Sequence, residues 1–186
     1  LHYPIFSCPT AKPARLKINN HSVPLRSLYD HNPSEYHINR RWQIKDIEQA
    51  NRLYQMQWDQ VLDSDSSIIL SGEGISLLPA RALERLIAAI DSKGFAIQAI
   101  ALVRSPLDYA HSIAQQLIRG GQHLGVVGFG DLCHPMTMTR LVIPDGCREI
   151  AKLLSVFGET IRFTPFYQAC QHPMGPVAYL PVSYTH

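Results

Sequence analysis

Arg104 closes an apolar run, and Ser112 follows it by eight residues in the stretch IALVRSPLDYAHSIAQQLIRGG, Ile100 to Gly121. A guanidinium is a permanently charged planar fork that matches phosphate oxygens two at a time. A serine hydroxyl on the helix that follows can donate to the same anion. Glu73 lies in SGEGIS (71–76), between Gly72 and Gly74. A carboxylate there can take a proton from a hydroxyl, and glycines on both sides admit a substrate close to the backbone. His21, in NNHSVPL, is a rival base, because imidazole titrates near neutrality. His111, next to Ser112, is a second imidazole that can stack on or hydrogen-bond a ligand. Together these residue types describe anion binding combined with proton transfer.

The elements that must position them follow from the hydrophobic pattern. Ser105 suits an N-cap, Pro106 the first helical position, and Asp108 completes a Ser-x-x-Asp box. Leu107, Ala110, Ile113, Ala114, Leu117 and Ile118 make a stripe expected to be buried, with Ser112 pointing away from it. AIQAIALV (96–103) reads as a buried strand that ends at Arg104. SIIL (67–70) reads as another, ending just before Glu73. Between them a helix starts near Pro79, carries Leu83, Leu86, Ile87 and Ile90 on one face, and closes at Gly94. Strand, helix, strand, helix implies a parallel sheet, and ligands of such sheets bind beyond the carboxyl ends of the strands.

Elsewhere Ile47, Ala50, Tyr54, Trp58 and Val61 recur at helical steps within 42–62, which assigns Trp42 and Trp58 to the core. Residues 1–40 show no sustained period and read as a long loop layer. Residues 120–143 read as a glycine-rich loop. Ile150, Leu153, Leu154 and Phe157 predict a helix capped by Gly158, and TIRFTPF (160–166) a further strand.

The 186 residues suit one domain with a sizeable core, and 46% hydrophobic against 17% charged residues describe a globular chain. A net charge of +2 without a basic stripe argues against nucleic acid as partner. No run approaches the length of a membrane helix. The four cysteines form no CxxC pair, so they read as reduced thiols of a cytoplasmic protein. Neither Cys133-His134 nor Cys170 with His172 has zinc spacing, and no metal site is expected. The chain opens at Leu1 rather than Met and ends just after an apolar run, which reads as a fragment short at the N-terminus and at the C-terminus.

The Arg-x-Pro strand end with a helical serine eight residues after the arginine resembles the 3′-phosphate-binding element of sulfotransferases. Those enzymes use 3′-phosphoadenosine 5′-phosphosulfate (PAPS) as sulfuryl donor. NNHSVPLRSLY (19–29), IILSGEGIS (68–76) and IRFTPF (161–166) also look like segments of bacterial sulfotransferase-like proteins, often encoded near polysaccharide genes. The resemblance implies that Arg104 and Ser112 bind the nucleotide's 3′-phosphate and that Glu73, or its rival His21, is the catalytic base. It implies an α/β fold, a parallel sheet flanked by helices of the P-loop nucleoside triphosphate hydrolase-like kind, incomplete in this single partial domain (1–186). PAPS would be the co-substrate, and a hydroxyl or amine of a small molecule or glycan the acceptor, with no metal.

The chain departs from the family's pattern at one place. The Lys/Gly/Thr loop that cradles the 5′-phosphosulfate has no counterpart, since CPTAKPARLK (8–17) holds no glycine and its prolines lack N–H donors. That loop is expected before Leu1. Two other readings stand beside this one. A P-loop kinase-like transferase would need magnesium ligands, for which Asp131 and Asp145 are the nearest loop carboxylates. A degenerate module would bind a glycan or partner without catalysis.

Overall fold

The computed structural model describes residues 2–8, 16–44, 46–121 and 145–173. They belong to two compact units, Leu1–Gln98 and Ala99–His186.

In the first unit, strands β1 (Phe6–Cys8) and β2 (Leu16–Ile18) pair antiparallel, with Phe6 opposite Ile18 and Ser7 opposite Lys17. Helix α1 (Ser22–Tyr29) follows, then a short 3₁₀ turn at Pro33–Glu35 and helix α2 (His37–Arg41). The expected loop layer over residues 1–40 therefore holds regular structure. Its strands are three residues long and α1 only eight, too short to print a period on the sequence.

Helix α3 (Ile47–Leu62) starts where the Asp46 carboxylate accepts from the Gln49 N–H at 2.8 Å. Ala50, Tyr54, Trp58 and Leu62 recur every fourth residue and are buried. They pack with Phe6, Ile18, Val23 and Leu25 into one core. Trp58 donates its indole N–H to the Tyr29 hydroxyl at 2.9 Å, so α1 and α3 are tied by a hydrogen bond inside their apolar contact. Trp42 is half-buried against the same core. Helix α4 (Ala80–Asp91) begins directly after Pro79, buries Ala82, Leu83 and Leu86, and gives way to Gly94 at φ +80°.

The strand expected at 67–70 is reduced to a single parallel bridge between Ile68 and His2. The His2 N–H donates to the Ser67 carbonyl, and the Ile69 N–H to the His2 carbonyl. Ile68, Ile69 and Leu70 are half-buried rather than enclosed. Apolar side chains alone do not make a strand without a partner long enough to continue the ladder.

The second unit carries the parallel sheet. Strand β3 (Ala99–Val103) pairs parallel with β4 (Ile161–Pro165), in a register that sets Ala99 opposite Ile161 and Val103 opposite Pro165. Helices α5 (Pro106–Arg119) and α6 (Gly146–Phe157) lie in the crossover between them, and α7 (Phe166–Cys170) leaves β4 directly. The protein is thus mixed α/β with a small parallel pair. The α5 stripe is less covered than its pattern suggests: no residue of α5 is fully buried, and Leu107 is 65% exposed. Gly158 ends α6 at φ +56°. Among the described residues no helix is long and apolar enough to cross a membrane.

Candidate functional site

Arg104 and Ser112 meet. Arg104 is the first residue beyond β3, and its Nη1 donates to Ser112 Oγ at 2.9 Å. The helix that delivers Ser112 is fixed at its start by Ser105, whose hydroxyl accepts from the Asp108 N–H and donates to the Asp108 carboxylate. Ser105 and Pro106 turn the chain within two residues, so the second turn of α5 comes back beside the strand end.

A third residue completes the arrangement. The Arg104 guanidinium carbon lies 3.8 Å from the ring centroid of Phe166. Phe166 is the first residue beyond β4, and Val103 is registered with Pro165. Arg104 and Phe166 therefore step off two adjacent parallel strands at the same level. Among the described residues no carboxylate pairs with Arg104. Arg104 is also exposed to solvent. Because Ser112 Oγ accepts from Arg104, its own hydrogen remains to be donated elsewhere. The cluster thus presents a cation and a hydroxyl donor of the kind a phosphate or sulfate group takes.

Glu73 and His21 lie in the first unit, and the structure joins their segments. The His21 backbone N–H donates to the Ser71 carbonyl at 3.0 Å, and the Ser71 N–H donates to His21 Nδ1 at 2.7 Å. The Gly74 N–H donates to Ser22 Oγ at 2.8 Å. Gly72 approaches so closely that a Cβ there would lie 2.5 Å from the Ser22 nitrogen and 2.8 Å from Asn20 Oδ1. The two glycines thus admit the chain's own α1 start, where a substrate was expected. Glu73 stands between these anchors, exposed, and among the described residues it has no ion-pair partner.

His21 is fully buried, with its ring against those of Tyr3 and Phe6. Since Nδ1 accepts from Ser71, the ring is neutral and its proton sits on Nε2, which donates to the Pro4 carbonyl at 2.7 Å. Burial pulls its pKa below the ordinary value, and the Pro4 hydrogen bond opposes that shift. Both ring nitrogens are therefore committed to backbone, and neither is available to a substrate in this conformation.

Asp145, weighed as a magnesium ligand, caps α6 by accepting from the Arg148 N–H. His111 is exposed on α5. Asp131, Cys133 and His134 lie outside the described residues. Among the described residues no cluster of three His, Cys, Asp or Glu side chains could hold a metal ion.

Sequence reasoning missed Phe166 as a partner of Arg104, and His21 and Ser22 as supports of the Glu73 loop. Pairing the two strand runs in parallel would have revealed the first, since one ends Val-Arg and the other Pro-Phe. Comparison with known protein families, curated proteins and solved structures finds no match to this chain.

Proposed function

We propose that this chain carries the nucleotide site of a PAPS-dependent sulfotransferase of the P-loop nucleoside triphosphate hydrolase-like class. It would act in the cytoplasm on a hydroxyl or amine of a small molecule or glycan. One observation carries the reading. Arg104, without a carboxylate partner among the described residues, is hydrogen-bonded to Ser112 at the carboxyl end of a parallel strand. That is where an α/β sheet binds its ligands, and these are the two residues that the sequence resemblance assigns to the 3′-phosphate.

In the proposed reaction the acceptor oxygen or nitrogen attacks the sulfur of PAPS. A new bond to sulfur forms as the bond from sulfur to the 5′-phosphate oxygen breaks, releasing adenosine 3′,5′-bisphosphate. A base takes the acceptor's proton, the role that the sequence resemblance gives to Glu73. Arg104 and Ser112 bind the 3′-phosphate throughout, contributing affinity and orientation. The transfer needs no change of oxidation state.

The test is ligand preference. Binding of adenosine 3′,5′-bisphosphate, adenosine 5′-phosphate and magnesium ATP to the full-length protein would be compared by calorimetry. The reading expects the bisphosphate to bind best, with no need for magnesium. A preference for magnesium ATP would replace it with the kinase-like reading. Binding of a glycan but of no nucleotide would replace it with the non-catalytic one.

A further inference from the structure

We propose that Phe166 is a positioning residue that holds the Arg104 guanidinium in the plane and place where it meets its anion. The inference rests on the sulfotransferase reading of the Arg104–Ser112 pair and adds to it a residue from another strand.

An exposed arginine has many rotamers, and ordering it costs binding free energy. Ser112 fixes one nitrogen of the fork through a single hydrogen bond at 2.9 Å. One point of attachment leaves the guanidinium free to swing about it. The Phe166 ring, 3.8 Å from the guanidinium carbon, supplies the second constraint. A cation over an aromatic face is attracted by the ring's quadrupole. The same contact shields one face of the cation from water, which strengthens the bonds its edge can form. Among the described residues no hydrogen bond other than that to Ser112 engages the fork. Among the described residues its remaining N–H donors are thus oriented but unused.

The fold sets this contact firmly. Parallel pairing places Val103 opposite Pro165, so the next residues of both strands leave the sheet side by side. Phe166 is half-buried, and α7 starts at it, which removes the freedom a loop residue would have. The requirement is for an aromatic face, so Trp or Tyr should serve and an aliphatic residue should not.

The experiment measures the affinity of the full-length protein for adenosine 3′,5′-bisphosphate and for adenosine 5′-phosphate, in the wild type, Phe166→Leu, Phe166→Trp and Arg104→Ala. Phe166→Leu is expected to weaken the bisphosphate about two- to fivefold and to leave the monophosphate unchanged. Phe166→Trp is expected to restore the difference between the two ligands. Melting temperatures accompany each variant. Should Phe166→Leu melt early, Phe166→Met, whose flexible thioether adapts to the space the ring leaves but lacks its quadrupole, carries the same comparison. If Arg104→Ala loses the bisphosphate while Phe166→Leu does not, the positioning role is overturned and the phosphate site stands. An equal loss for both ligands would reduce Phe166 to a packing residue. If Arg104→Ala changes neither affinity, the sulfotransferase reading itself fails.

Discussion

His21 and Ser71 grip each other from both directions: the His21 N–H donates to the Ser71 carbonyl, and the Ser71 N–H donates to His21 Nδ1 at 2.7 Å. The second bond exists only while the imidazole is neutral. Protonation turns Nδ1 into a donor facing a donor, inside a buried pocket.

Stability should therefore fall in mild acid. Burial lowers the folded-state pKa of His21 below its ordinary value. The unfolded chain then binds more protons than the native one between those two values, so stability rises with pH there. The His21 contribution is fully present above about 6.5 and is lost as pH falls from there toward the lowered native value. Urea unfolding across this range checks it. His21→Gln, which cannot titrate, should flatten the dependence, and should cost about 1–3 kcal/mol if the Ser71 N–H is left unpaired.

Gly72→Ala should destabilise the first unit by about 1–3 kcal/mol. The added methyl would meet the side chains of Ser22 and Asn20 and also lie 2.5 Å from the Ser22 backbone nitrogen, which cannot swing aside. Thermal melting reads the loss. Gly94→Ala is a useful comparison: among the described residues nothing lies within 4 Å of its Cβ, so the expected cost there comes from its positive φ.

Glu73→Gln should leave the fold and the nucleotide affinity intact, because the carboxylate has no ion-pair partner among the described residues. Under the sulfotransferase reading it should reduce turnover about 100- to 10,000-fold, the usual contribution of a general base. The measurement is transfer of labelled sulfate from PAPS to an acceptor, set beside bisphosphate binding. A variant that turns over normally would remove Glu73 from the role.

Ser112→Ala should weaken bisphosphate binding about tenfold, the loss of one hydrogen bond to a charged group. Ser112→Thr keeps the hydroxyl and should recover most of it. Titrations of the two variants decide whether the hydroxyl or the helix packing matters.

What the sequence disclosed here depended on distance along the chain. Arg104, Ser105, Pro106 and Ser112 are neighbours in one strand–helix join, so turn chemistry and helical period located the strand end and the helix cap, while the pairing of Arg104 with Ser112 came from the resemblance. Helix α3 and its Tyr54 and Trp58 were readable for the same reason. Phe166 was not, because its contact with Arg104 comes from the register of β3 on β4, which no local pattern encodes. The support of the Glu73 loop by His21 and Ser22 was equally hidden. There the glycines advertised a close approach without saying of what. The strand expected at 67–70 fell short because an apolar run carries no information about its partner, here one bridge to His2.

The most direct measurement is calorimetric titration of adenosine 3′,5′-bisphosphate into the full-length protein and its Arg104→Ala variant, with folding confirmed by melting temperature. The account expects the substitution to weaken binding about 100-fold, while adenosine 5′-phosphate binds both proteins alike. Equal bisphosphate affinity in the two proteins would contradict it, and would leave Arg104, Ser112 and Phe166 as an ordinary strand–helix join.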